Sequence, residues 1–230
     1  MRVLFLSGSG LSAESGIPTF RGADGLYAGM NAEEFLSAEH YAKDPASIEE
    51  WLDQLRATGN RATPNAAHRA LAKYQRQYPD TLLMTQNVDN LLEQAGATDV
   101  VHLHGRIDQF RCVGHGHVAA SRENRCLVCA SRIRSDVVLF GEPAPNYDVL
   151  RRALREATPR DALVVIGTQG VVLPIAGIAR AFPGPTLLNN LHESDAIDPD
   201  WFDEAIDAPA TVAAPQIIAT LERWRARSGE

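Results

Sequence analysis

Five short apolar runs, each closing on a cluster of small or polar residues, limit the folds open to this chain. Residues 3–6 lead into Ser7-Gly8-Ser9-Gly10, 82–84 into Thr85-Gln86-Asn87, and 100–103 into His104-Gly105. Residues 163–166 lead into Gly167-Thr168, and 186–188 into Asn189-Asn190. Runs this short, without polar alternation, suit strands buried on both faces. Stretches at 64–76 and 147–156 carry helical periodicity between them. Strands alternating with helices predict parallel βαβ units. In an open parallel sheet, ligands bind just outside the carboxyl ends of the strands. All five polar clusters fall at those ends, so topology locates a site before its chemistry is known.

A chain of 230 residues that is 45% hydrophobic can bury most of the surface it exposes when unfolded. One principal domain with a small insert is expected. The 22 basic and 29 acidic residues give a net charge of -7 without a long run of one sign, which argues against a nucleic-acid partner. The uncharged stretch 162–179 is broken by Gly167, Gln169, Gly170, Pro174 and Gly177. It reads as strand, turn and helix, and no membrane partner is expected. Met1 leads directly into a strand-like run with no export pattern, so a cytoplasmic address is expected. Three clustered cysteines are too few for a disulfide framework and fit a reducing compartment.

Two segments break the alternation. Residues 23–60 are polar with helical fragments around 32–38 and 46–56, and 106–134 hold Cys112, His115, His117, Cys126 and Cys129 with little apolar periodicity. Cys126-x2-Cys129 has metal-ligand spacing. His115 stands where a second Cys-x2-Cys would end, and imidazole ligates zinc as thiolate does. His117 is the rival fourth ligand.

Gly8-Ser9-Gly10 follows a strand and is expected to open a helix whose amide end would face a pyrophosphate. Position 13 is alanine where the full dinucleotide fingerprint ends in glycine, so a plain tight turn is the competing reading. His104 at a strand end reads either as a satisfied core histidine or as a general base. Asn87 and Asp89 read as a polar pocket or as an Asx cap of a helix starting near Asn90.

The residues after Gly10 extend the first motif. Gly8-Ser9-Gly10-Leu11-Ser12-Ala13-Glu14-Ser15-Gly16-Ile17-Pro18-Thr19-Phe20-Arg21-Gly22 resembles the first signature of the sirtuin family, with Ser9 in place of alanine. Thr85-Gln86-Asn87-Val88-Asp89-Asn90-Leu91 with Ala95-Gly96 resembles the second, and Leu103-His104-Gly105 the third. Phe140-Gly141-Glu142, Gly167-Thr168 and Pro174 continue the match in order, and the likeness runs from residue 3 to about 220.

The resemblance implies an α/β fold: a Rossmann-like parallel-sheet domain for NAD over 1–30, 61–105 and 135–230, with a helical lid at 31–60. An inserted zinc-binding module at 106–134 would complete it, with structural zinc on Cys112, His115, Cys126 and Cys129. The implied activity is NAD-dependent deacylation of protein lysines. The acyl oxygen attacks C1′ of the nicotinamide ribose, nicotinamide leaves, and the acyl group ends on ADP-ribose. His104 would be the base for a ribose hydroxyl, with Asn87 and Asp89 in the ribose and nicotinamide pocket. Gly8, Ser9, Gly10, Ser12, Ile17, Phe20, Arg21, Gln86, Gly167, Thr168, Gln169 and Asn190 would complete the NAD site. An acyl-lysine peptide would add as a strand between Val137, Val138, Phe140 and Gly141 on one side and Gly170 and Val172 on the other.

Ser9, Gln169 and Arg106 depart from the family pattern, and Gln169 adds volume beside a phosphate. The desuccinylase branch uses Tyr-x-x-Arg to clamp an acyl carboxylate. Here the residues three beyond each tyrosine are Met30, Asp44, Gln77, Thr81 and Leu150. The clamp positions fall on Leu52 and Leu55, with Arg56 one residue away, so neutral acyl groups are expected. Two rival activities remain at this stage: ADP-ribosyl transfer to protein or water, and a non-catalytic NAD sensor.

Overall fold

The computed structural model describes residues 1–19, 31–119, 121, 122, 125–227 and 229. Phe20 and Arg21 lie outside the described residues. In chain order the elements are β1 (Val3–Ser7), α1 (Ala32–Phe35), α2 (Ala38–Lys43), α3 (Pro45–Arg61), α4 (Ala66–Gln77), β2 (Leu82–Thr85), α5 (Leu91–Gln94) and β3 (Val101–His102). They continue with β4 (Gly105–Cys112), β5 (Val118–Ala119), β6 (Ile133–Val137), α6 (Tyr147–Arg155) and β7 (Ala162–Ile166). The last are α7 (Ile175–Ala181), β8 (Thr186–Asn190), β9 (Glu204–Asp207) and α8 (Ala210–Arg227).

Six strands form one parallel sheet in the order β3-β2-β1-β7-β8-β9. Chain direction across the sheet reverses between β1 and β7, which is the doubly wound arrangement. Side-chain parity builds the two layers of core. Val3 and Phe5 of β1 and Val164 of β7 face α4 and α8, where Leu71, Ile217 and Leu221 meet them. Leu4, Leu6, Leu163 and Val165 face α6 and α7, against Leu150 and Ile175. Each such fully buried side chain contributes roughly 1.5–3 kcal/mol. Among the described residues no helix is long and apolar enough to cross a membrane.

β4, β5 and β6 form a separate antiparallel sheet in the order β5-β4-β6. Helices α1 to α3 pack on its base through Leu36, Tyr41, Ile48, Leu52, Ile107, Val137 and Leu139. Beneath that contact Glu49 is buried. It accepts from the Tyr41 hydroxyl at 3.2 Å, from Ser135 Oγ at 2.8 Å and from Arg122. Buried charge of this kind is tolerable only because it is fully paired.

The helix expected to open at Gly10 does not form. Two successive 3-10 turns, Ser9–Leu11 and Ala13–Ser15, occupy the place, and Gly16 closes the second at φ 85°. A left-handed glycine stops propagation, and the following Ile17-Pro18 disfavours helical backbone at Ile17. The N–H groups of Gly8, Gly10, Leu11 and Ser12 bond to the carbonyls of Ile166, Gly167, Gly8 and Ser9. The expected helix terminus with open amides is therefore replaced by a self-satisfied turn.

Candidate active site

A cavity of about 560 Å³ opens at the carboxyl edge of the parallel sheet, at the point where the strand order reverses. Toward β8 and β9 it is lined by Gly8, Ser9, Gly10, Gly167, Thr168, Gln169 and Asn190. Toward the small sheet and the helices its walls are apolar, with Leu36, Trp51, Leu52, Leu55, Val88 and Leu139. The turns after β1 and β7 stack backbone on backbone. A Cβ on Gly10 would come 2.6 Å from Gly167 Cα, so any side chain there would push the turns apart.

Between these halves lies a polar cluster centred on Ser12. Its Oγ donates to Asp89 Oδ2 at 2.9 Å and accepts from Asn87 Nδ2 at 3.0 Å. His68 stands behind it, fully buried, with Nε2 at 3.3 Å from the same oxygen. Because His68 Nδ1 receives the Asn65 N–H at 3.3 Å, its proton sits on Nε2 and points at Ser12. Asn65 also caps α4 and donates to the Leu11 carbonyl at 2.8 Å, so the helix start and the β1 turn form one unit. Asp89 combines the helix-cap contact with a place in this polar cluster. Its Oδ1 accepts the Leu91 N–H at 3.0 Å at the start of α5, while Oδ2 serves the cluster. Burial pushes its carboxyl above the usual range, against the hydrogen bonds from Leu91 and Ser12.

Burial lowers His68 from 6.5 to about 4. Between those values the unfolded chain carries a proton there that the folded chain lacks, so this contribution is intact above pH 6.5 and lost as pH falls. The loss across the window should reach about 3 kcal/mol. Denaturant unfolding at several pH values should give a flatter acid dependence for His68→Gln than for wild type; equal slopes would exclude this source.

His104 follows β3, and the turn after it is tight. Gly105 has φ 82°, and a Cβ there would lie 2.1 Å from the Asp136 carbonyl oxygen. His104 Nδ1 meets the Gln86 carbonyl at 2.9 Å and Nε2 meets the Tyr147 hydroxyl at 2.8 Å. Burial holds its pKa below the ordinary histidine value, partly offset by the Gln86 bond. His102 is a satisfied core histidine instead. It is buried, with Nδ1 at 3.0 Å from the Asn87 carbonyl and Nε2 at 2.8 Å from Glu93.

The cavity lining brings together Ile17, Gln86, Asn87, Asp89, His104, Val137, Val138, Phe140, Gly141, Gly170 and Val172 with the strand-end residues above. Phe140 differs from a free strand edge. Its N–H donates to the Leu36 carbonyl and its carbonyl accepts from Ala38, so its backbone is already used by the helical segment. Arg106 turns away from the cavity and pairs with Asp108 and Glu93, which absorbs that departure from the family pattern. Arg56 likewise spends its guanidinium on Asp53, the Ile107 carbonyl and Ser135. Among the described residues no lysine or arginine lines the cavity. His68 and Tyr147 were not singled out from sequence. The Asn65-x-x-His68 capping pattern was a usable signal for the first; nothing local marks the second.

Cys112, His115, Cys126 and Cys129 place their ligand atoms within 4.8 Å of one another. Two tight turns present them. Gly116 donates to the Cys112 carbonyl, Ala130 to the Cys126 carbonyl, and the Val128 N–H reaches Cys126 Sγ at 3.4 Å. Gly114 has no room for a side chain, since a Cβ would lie 3.0 Å from Cys129 Sγ. Hydrogen bonds from Ser131 lower the Cys129 thiol to about 6. Three thiols and an imidazole in one cluster are the donor set of a structural zinc site, and none of the four lines the cavity. His117 stays beside it, with Nε2 at 3.6 Å from Cys126 Sγ.

A doubly wound parallel sheet with its cavity at the switch point, a histidine at one strand end and an Asn-Asp-Ser cluster at another defines a Rossmann-type nucleotide-binding class. The family model for the Sir2 family matches residues 8–174, and the chain belongs to that family. It is 36% identical over 239 residues to an NAD-dependent protein deacylase of Rhodopirellula baltica, covering 95% of this chain and 98% of that one. A relative of the same name from Shigella flexneri is 38% identical over 233 residues, with 96% and 84% covered. Among solved structures, a histidine-to-asparagine mutant of a Sir2 homologue bound to ADP-ribose superposes with TM-score 0.84 at 33% identity, covering 98% and 93%.

Proposed function

We propose that the protein is an NAD-dependent protein-lysine deacylase that releases nicotinamide and moves the acyl group to ADP-ribose. The observation that carries this reading is one cavity holding His104, Asn87, Asp89 and Ser12 between a polar strand-end half and an apolar half. The names of the relatives support it. In this reading Gly8, Ser9, Gly10, Gly167, Thr168, Gln169 and Asn190 hold the phosphates and adenosine of NAD. Gln86, Asn87, Asp89 and Ile17 hold the nicotinamide ribose, with Phe20 and Arg21 assigned by the family signature alone. Ser12 keeps Asn87 and Asp89 in fixed geometry, so the nicotinamide carboxamide meets oriented groups. His104 takes a proton from a ribose hydroxyl at Nε2, its Nδ1–H anchored on the Gln86 carbonyl. The acyl-lysine enters between Gly141 and the edge formed by Gly170 and Val172, with Val137, Val138 and Phe140 forming the wall. The zinc is structural. The reaction belongs in the cytoplasm, where thiols stay reduced.

The acyl group lies in the apolar half, where Leu52 and Leu55 occupy the clamp positions and Glu14, Asp89 and Glu142 are the lining carboxylates. Among the described residues no lysine or arginine would meet a succinyl carboxylate buried there. Acetyl or medium-chain peptides should exceed succinyl peptide by at least roughly tenfold in kcat/KM, about 1.4 kcal/mol. Incubation with NAD and matched acyl-lysine peptides, with products identified by mass, tests both statements. Acyl-ADP-ribose is the expected product. Modified protein or free ADP-ribose alone would support the ADP-ribosyltransferase or hydrolase reading, and no nicotinamide release with any peptide would support the sensor.

A further inference from the structure

Tyr147 is the first residue of α6, half-buried, and its hydroxyl lies 2.8 Å from His104 Nε2. The bond has a definite direction. A carbonyl can only accept, so the Gln86 contact puts the ring proton on Nδ1, and Nε2 carries the lone pair that the phenol donates to. The helix start is anchored for this contact. Asn146 Nδ2 donates to the His102 carbonyl at 2.7 Å, and the Tyr147 N–H donates to the Ala144 carbonyl at 3.0 Å. The lone pair that the proposed reaction needs is thus already engaged in the resting protein.

We propose that Tyr147 is the positioning residue of this base: its phenol holds Nε2 unprotonated and aimed into the cavity until a ribose hydroxyl of bound NAD displaces it. The inference rests on the reading of His104 as the base.

The surroundings leave this role to the phenol. Asp89, from the turn after β2, is committed to Ser12 and Leu91. Glu142, from the turn after β6, is committed to Arg111, Arg134 and the Leu139 N–H. On the far side of the strand, His102, Glu93 and Arg106 are paired among themselves. From α3 the cavity receives Trp51, Leu52 and Leu55, and from the turn after β7 Thr168, Gln169 and Gly170, with no charge among them; the other titratable groups described in its lining are Glu14, which accepts from Thr211, and His192 after β8. Burial raises the Tyr147 phenol above its ordinary value, so it stays a proton donor.

A donor on Nε2 favours neutral imidazole, so its removal raises the protonation midpoint of His104. Tyr147→Phe should move the acid limb of kcat/KM up by roughly half to one pH unit, the threefold to tenfold effect of one hydrogen bond. The limb of kcat, which reports the NAD- and peptide-bound complex, should stay in place because the phenol has already left. An NMR titration of His104 in the free protein should shift with the kcat/KM limb. That measurement needs no turnover, so it separates failure of this role from failure of the deacylase reading, which His104→Ala in the same assay tests directly. Superimposable kcat/KM profiles with an unmoved titration in folded Tyr147→Phe overturn the proposal, as does a parallel shift of both limbs. Should the variant not fold, the Nε2 nitrogen resonance of wild type decides: a hydrogen-bonded acceptor supports the role, and a free lone pair overturns it.

Discussion

Alanine at position 104 is expected to lower acyl-lysine turnover by about two to four orders of magnitude, the range for a positioned acid–base group. The fold should survive the change. Among the described residues, and apart from packing, the imidazole bonds the Gln86 carbonyl and the Tyr147 hydroxyl, both at the cavity wall where water can replace it. In the proposed reading the phosphates and adenosine of NAD are held by other elements, the turns after β1, β7 and β8, so NAD affinity should stay within a few-fold. Steady-state rates with an acetyl-lysine peptide, beside calorimetric NAD binding, make the comparison. Near-wild-type turnover in folded His104→Ala would remove the residue from its role.

Loss of the metal is the second large effect, and it acts on folding. Purified protein should carry about one zinc ion per chain, because four ligands that satisfy one ion have few apolar neighbours to hold them otherwise. Structural zinc in small modules contributes roughly 10–16 kcal/mol of apparent binding free energy at neutral pH. Cys126→Ser or Cys129→Ser should therefore melt well below wild type or aggregate. The damage should spread, since β6 leads directly into the 137–142 wall of the cavity. His115→Ala should weaken zinc retention more than His117→Ala, as His115 completes the ligand cluster. Metal analysis across the variants, with thermal melting, checks this; zinc-free wild type with an unchanged melting curve would end the assignment.

How far the sequence reveals this molecule depends on how local each signal is. Residues 3–6 and 163–166 are legible as strands because buried parallel strands repeat apolar residues at every position, and the polar clusters behind them are legible as turns. β9 escapes such a reading because Glu204 to Asp207 is half-exposed at the sheet edge and mixes charge with apolar residues. α8 carries Pro215 within its length, which blurs a helical pattern. In the site, the motifs give His104, Asn87, Asp89 and Ser12 as neighbours, but not what holds them. The bonds from His68 to Ser12 and from Tyr147 to His104 span 56 and 43 residues, and only packing of whole helices brings those pairs together. Arg106 and Arg56 show the reverse. Both looked available to the cavity from their positions in sequence, and both are consumed by near neighbours along the chain, Arg106 by Asp108 two residues on in β4 and Arg56 by Asp53 one turn back in α3.

β4 begins at Gly105, next to the proposed base His104, and ends at Cys112, one of the four residues that would hold zinc. Eight extended residues with one bulge separate the two by roughly 20 Å. Zinc with three thiolates and one imidazole carries a net charge near minus one. At that distance in water its pull on an imidazolium is only about 0.2 kcal/mol, and ions in solution screen it further, since the Debye length is about 8 Å. The metal is thus electrostatically mute toward the chemistry. What it can transmit along β4 is shape, so any ion that accepts the same tetrahedral donors should leave the reacting groups unchanged.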